Sequence, residues 1–211
     1  MNFIKNPMQI ENRSMEIISP YLDGLNLNFE ETKIFSRIIH AAGDVDYAPL
    51  IKIHPAAIES AKLAIQHGAN IFTDVMMVRT GINKRTLKKF GVEVFCKVSD
   101  DETRQYALQH KITRSMAAMR IFGELLNGAV VAIGNAPTAL FEVLRLIREE
   151  NICPAVIIGV PVGFVGAADS KLALAEQDKI PYITVAGTKG GSSIAVAAVN
   201  AIMYLLDNSR D

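Results

Sequence analysis

From Ala129 onward the chain repeats one local pattern three times. A β-branched apolar run without polar alternation is followed by a glycine, a short loop of small or polar residues, and a helix-spaced segment. The copies are AVVAIGNAPTALF from Ala129, AVIIGVPVGFVGAADSK from Ala155 and YITVAGTKGGSSIAVAAVNAI from Tyr182. An uninterrupted apolar run suits a strand covered on both faces, and such strands belong to parallel sheets. Parallel strands release all three glycine loops at one carboxyl edge, where open α/β sheets bind their ligands.

The first third carries the 3.6-residue period instead. Asn6-Pro7 reads as a cap followed by proline at the first helical position, with Pro20 limiting the far end. A second helix starts after Asn28, with Glu31 as its capping-box partner. Ile34, Phe35, Ile38, Ile39 and Ala42 form its apolar stripe, and Gly43 stops it. A third helix is predicted over 55–67, closed by Gly68. Short strands follow at NIFT from Asn70 and VEVFCKV from Val92, and helices over 83–90, 101–110, 115–127, 138–150, 169–177 and 192–206. The prediction is an α/β domain with a mainly parallel five-stranded sheet flanked by helices. Residues 1–67 form a mostly helical N-terminal segment, and 68–211 alternate strand and helix within one domain.

Composition narrows the partners. Half of the 211 residues are apolar, enough for a sizeable core, and no apolar run is long enough to cross a membrane. Lys+Arg and Asp+Glu balance at 22 each, so no global field recruits nucleic acid or anionic lipid, and an anionic ligand must be held locally. The start shows no signal-peptide core, and Cys96 and Cys153 match no metal or redox spacing. A reduced, cytoplasmic protein is expected.

His40 is the first candidate for chemistry. Ser36, Arg37, His40 and Asp44 share one side of the second helix, opposite its apolar stripe. The histidine falls in the last turn, where the helix dipole favours imidazolium; Asp44 is expected to push the same way and Arg37 to oppose it. That predicts a proton donor near neutral pH, set against a plain reading of His40 as a capping or core histidine. His54, His67 and His110 read as structural or solvated, and no two form a metal-ligand pair. GTKGGSS from Gly187 leads into a helix and carries Lys189, so its amides suit an anion. It is not GxxxxGK[ST], however, and neither other loop is GxGxxG. Thr113 caps a helix with Arg114 in its first turn, a cation that opposes the dipole unless a ligand uses it.

Together these segments resemble the precorrin-8X methylmutase family of corrin (cobalamin) biosynthesis. The resemblance rests on IENRSMEII from Ile10, SRIIHAAGD from Ser36, GANIFTDVMMVRTGI from Gly68 and TRSMAAM from Thr113. It continues through GNAPTALFEV from Gly134, PAVIIGVPVGFVGAADSK from Pro154 and GTKGGSSIAVAAVNAI from Gly187. It runs in order along nearly the whole chain. It implies a cofactor-free, homodimeric isomerase with sites at the subunit interface. Such an enzyme moves a methyl group from C-11 to C-12 of precorrin-8X or cobalt-precorrin-8, giving hydrogenobyrinate or cobyrinate. By the same resemblance His40 protonates the ring. Segments around Ser14, Arg37, Thr80 and Arg114, with Ser115 beside it, would touch substrate, as would Lys189 and Gly190. Met15 departs from the family, where an aromatic is common; that bears on pocket packing rather than chemistry. Arg13, Arg37, Arg79, Arg114 and Lys189 are available to pair the carboxylates that rim such a ring.

Two other classes stay open at this stage. A nucleotide-dependent α/β enzyme would use the same sheet edge, but the phosphate fingerprints are missing. A non-catalytic corrinoid carrier would bind the ring without converting it, so turnover separates it from an isomerase.

Overall fold

The computed structural model describes residues 3–207. Helix α1 (Pro7–Ile18) opens where the Asn6 side chain accepts the Met8 and Gln9 amides. Helix α2 (Phe29–Ala42) carries the Asn28–Glu31 capping box and buries Ile34, Phe35, Ile38 and Ile39. It ends at Gly43 in the left-handed conformation. There follow β1 (Ile51–Ile53), α3 (Ala57–Gln66), β2 (Ile71–Thr73), α4 (Met76–Gly81), α5 (Lys84–Lys88) and β3 (Val94–Phe95). Helices α6 (Asp101–His110) and α7 (Arg114–Phe122) lead into β4 (Val130–Ile133), α8 (Pro137–Glu149), β5 (Val156–Gly159), α9 (Ala167–Glu176), β6 (Tyr182–Val185) and α10 (Ser192–Leu206).

The sheet has six strands in the order β1-β6-β5-β4-β2-β3. The inner run from β6 to β3 is parallel throughout, so the three glycine loops do leave at one edge. The sixth strand corrects the five expected from sequence. Ile51-Lys52-Ile53 is three residues long and lies in a stretch dominated by helix signals. It becomes a strand by antiparallel pairing with β6, Ile51 opposite Val185. Two helical boundaries also differ. Helix α4 occupies a stretch for which the sequence predicts no element, and α7 stops at Phe122 because Gly123 turns to positive φ and a short 3₁₀ turn takes over.

Strand side chains alternate between two cores. Val130 and Ala132 of β4, with Val156 and Ile158 of β5, face Ile38, Ile58, Ala198 and Ile202 on the α2, α3 and α10 side. Val131, Ile133 and Ile157 face Phe122, Leu140, Leu146 and Leu174 on the α7, α8 and α9 side. The sheet is therefore dry on both faces, which explains the missing alternation in its strands.

A carboxylate lies inside the second layer. Glu142 of α8 is 1 % exposed and accepts from Arg120 Nε and NH2, both at 2.9 Å, and from Arg145. Burial would raise its pKa, but the hydrogen bonds from Arg120 and Arg145 outweigh burial and hold it below the ordinary 4.5. A lowered folded-state pKa contributes stability that is complete above the unfolded value and lost as pH falls through the folded one. Glu142→Gln should cost about 3 kcal/mol at neutral pH, because Arg120 loses its carboxylate partner and Arg145 the most buried of its three. It should also flatten the acid limb of the stability profile below pH ~4.5. Urea unfolding at a series of pH values checks both; an unchanged acid limb would remove Glu142 from this role.

Candidate active site

The first glycine loop is closed by the protein itself. Asp74, which directly follows β2, is fully buried, and its two carboxylate oxygens accept the amides of Gly134 (3.0 Å), Asn135 (2.9 Å) and Ala136 (2.7 Å). Those amides open α8, whose own N-cap residue, Ala136, brings no side-chain acceptor. A carboxylate at a helix start takes the position an exogenous phosphate would need. Burial pushes the Asp74 carboxyl up, and the three amides pull against it.

The other two loops lock onto each other. Gly191 N donates to the Val160 carbonyl at 2.8 Å and Gly163 N to the Thr188 carbonyl at 3.2 Å. Gly190 sits at φ +152°, and a Cβ there would lie 2.3 Å from the Val160 oxygen, so only glycine fits. At the tip of the second loop Phe164 and Val165 are 95 % and 90 % exposed.

Two grooves lie against the N-terminal helices, and another of about 270 Å³ lies beside β3. A groove of about 380 Å³ separates α2 from α10. Helix α2 supplies Arg37, His40 and Ala41, and α10 supplies Ser193, Val196, Ala197, Asn200 and Tyr204. Its walls are apolar in the middle, with the imidazole and the guanidinium on one side. Arg37 also reaches Glu11 of α1 and lies over the Tyr204 ring. A second groove of about 510 Å³ runs between α1 and α2, lined by Met15, Ser36 and Arg37 among others. Of the glycine-loop segments only GTKGGSS reaches these two grooves, through Ser193 in the first turn of α10.

The sequence-predicted residues divide accordingly. His40 and Arg37 share one groove. Lys189 and Gly190 adjoin it through the residues that follow α2: Lys189 Nζ pairs with Asp44 at 2.5 Å, and the Tyr47 hydroxyl meets Gly190 N at 3.2 Å. Asp44 also accepts the Asp46 amide. Its carboxyl is held below the usual range chiefly by the Lys189 hydrogen bond, so Asp44 partners Lys189 and not His40, contrary to the sequence reading. Thr80 is exposed on α4, beside Gly81, which packs against Val196 of the groove wall. Ser14 of α1 bonds back to the Ile10 carbonyl. Arg114 and Ser115 stand at the start of α7, tied to the α8 start by a Thr113–Thr138 hydroxyl contact of 2.9 Å, and neither lines the His40 groove. Arg79 turns away, its Nε donating to the Val94 carbonyl, and Arg13 pairs with Glu16 in solvent. His54 caps its turn by accepting the Ala56 amide, and His110 stacks on Tyr106, so both are structural as read.

Sequence reasoning missed the α10 side of the groove. Its signal was a polar series, Ser193, Asn200 and Tyr204, at helical spacing on an otherwise apolar helix. Asn200 has a structural task as well, accepting from Asn83 N and donating to the Gly81 carbonyl. Asp74 and Lys171 were also missed; a charge that directly follows a buried strand, or lies on a helix facing the sheet, was the available clue. Among the described residues no group of His, Cys, Asp and Glu is arranged to hold a metal ion, and no helix is long and apolar enough to cross a membrane.

A sheet covered by helices on both faces, with one histidine in an apolar, arginine-flanked groove, defines the class as an α/β protein with a helix-lined cleft. The family model described as precorrin-8X methylmutase matches residues 9–205. The chain is 42 % identical over 203 residues to cobalt-precorrin-8 methylmutase of Leptospira interrogans, covering 93 % of this chain and 92 % of that one. It is 41 % identical to precorrin-8X methylmutase of a Sinorhizobium species, covering 95 % and 96 %. The crystal structure of precorrin-8X methylmutase from Thermus thermophilus superposes with a TM-score of 0.85 at 35 % identity, over 94 % of this chain and 98 % of that one. The chain belongs to the precorrin-8X methylmutase family, whose members are isomerases.

Asp74 gives the site region its most direct test. Asp74→Ala leaves three amides without their acceptor and should cost about 3 kcal/mol or more. Asp74→Asn keeps one acceptor oxygen and should cost less. Chemical unfolding of both variants checks the order, and equal losses would show that the amide contacts are not what Asp74 supplies.

Proposed function

We propose that His40 is the proton donor of a methylmutase of corrin biosynthesis, one that moves a methyl group from C-11 to C-12 of precorrin-8X or cobalt-precorrin-8 and yields hydrogenobyrinate or cobyrinate. The supporting observation is the His40 groove: an imidazole and the Arg37 guanidinium flank a wall of Ala41, Val196 and Ala197. Such a wall accepts the face of a macrocycle, and the cation meets a carboxylate at its rim. Protonating the conjugated ring makes it electron-deficient, and the methyl group then shifts within the ring system. Substrate and product are isomers, so the proton must be returned, and the neutral imidazole left by donation is the adjacent base. The shift consumes no electrons, which is why this reading calls for no cofactor.

The remaining roles are assigned on the same basis. Lys189, with Gly190 beside it, adjoins the His40 end of α2 and is given a rim carboxylate. Ser14 and Thr80 are read as contacts from α1 and α4. Arg114 and Ser115 do not line this groove in one chain, so a second copy is read as bringing them to it. The groove is open to solvent, and apolar side chains such as Phe164, Val165 and Met8 stand exposed for such a contact. We read the whole chain as one domain that works as a cytoplasmic homodimer.

Incubation with the substrate and absorbance spectroscopy test the catalytic role. His40→Ala should lose at least about 100-fold in turnover while still binding the coloured product within a few-fold of wild type. Turnover at the wild-type rate would exclude His40 as the donor. Wild type that binds but never converts the ring would instead point to a carrier.

A further inference from the structure

Lys171 of α9 is 1 % exposed, among the most buried large side chains in the protein. Its ammonium donates to a backbone oxygen, the carbonyl of Lys189 in the third glycine loop. Among the described residues no carboxylate accompanies it. Glu142 on α8 is taken by Arg120 and Arg145, and Asp169 and Glu176 of α9 are exposed. From β6 the Tyr182 hydroxyl bonds to the Ala175 carbonyl, and the Lys189 side chain is turned to Asp44. Burial alone depresses its pKa, to about 8. The group is therefore charged at neutral pH and loses its proton just above it.

An unpaired buried ammonium is costly, and stability alone would favour an apolar side chain of the same volume. What the charge holds is the loop. The segment 187–191 is gripped from three directions. Val160 accepts from Gly191, Asp44 and Tyr47 hold Lys189 and Gly190, and Lys171 holds the Lys189 carbonyl from below. Asp44 lies just beyond the last turn of α2, which carries His40.

We propose that Lys171 is a positioning residue, which fixes the 187–191 loop through the Lys189 carbonyl and so sets Lys189 against a substrate carboxylate beside His40. This rests on the methylmutase reading above. Lys171 touches neither substrate nor reacting atoms. Its effect falls on substrate affinity more than on the chemical step.

The sign with pH follows from the charge. Below pH ~8 the ammonium makes a charge-assisted hydrogen bond, and above it the neutral amine makes a weaker one. KM for the corrinoid substrate should rise as pH passes through this range, with kcat changing less. Lys171→Met should raise KM about tenfold at pH 7, the size of one lost charge-assisted bond, and abolish the inflection. Lys171→Arg should restore part of the affinity and stay charged, so its KM should not inflect. A Lys171→Met KM equal to wild type, or one that still inflects near pH 8, would overturn the proposal.

Hydrogen exchange supplies a readout without substrate. The protection factors of the Gly191 and Gly163 amides should fall in wild type across the same pH range and be low at every pH in Lys171→Met. If the variant does not fold, the wild-type titration still decides. Unchanged protection overturns the clamp. Lost protection with an unmoved KM overturns its role in binding. If wild type converts no substrate while protection behaves as described, the failure belongs to the methylmutase reading and the clamp stands.

Discussion

Backbone amides and carbonyls at the end of a sheet dry on both faces must find partners without water. The strands deliver three loops into that position, and each is satisfied by the protein itself. Asp74 accepts the amides of the first. The second and third exchange backbone hydrogen bonds, a contact close enough that Gly190 tolerates no side chain. The third is also held by Lys171 from beneath. One buried anion and one buried cation thus complete what the glycines leave open. The order of the whole edge depends on this internal satisfaction, because a single orphaned amide or carbonyl there costs as much as a large fraction of a domain's net stability.

With the sheet edge closed by its own groups, grooves open on either side of α2, against α1 and against α10, and the third loop is tied to one end of that helix. The connection is the Lys189–Asp44 pair, which ties the last loop to the end of the helix bearing His40. In a chain of zero net charge, the two cations nearest this stretch, Arg37 and Lys189, are each paired with a carboxylate, Glu11 and Asp44.

Much of this was legible in the residues. Asn6, Asn28, Gly43 and Thr113 announce the caps they form, and the unalternating strands announce a sheet buried on both faces. His40 stands out because a polar cluster shares a helix with a clean apolar stripe. What could not be read was the set of partners. Asp44 follows His40 so closely that proximity suggested a pair, yet its carboxylate turns to a lysine far along the chain. Asp74 and Lys171 are single charges whose meaning depends on loops brought to them by tertiary packing. β1 escaped because three residues carry no period, and it exists only through pairing with β6.

The two outermost strands have a consequence for how the protein meets others. β1 offers three residues and β3 only two, so neither border of the sheet presents a row of free donors and acceptors long enough to template a foreign strand. Association by sheet extension, the usual route to unwanted polymer, is closed at both ends. Contacts with a second molecule must therefore be made through side chains on helices and loops, whose shape and chemistry select the partner.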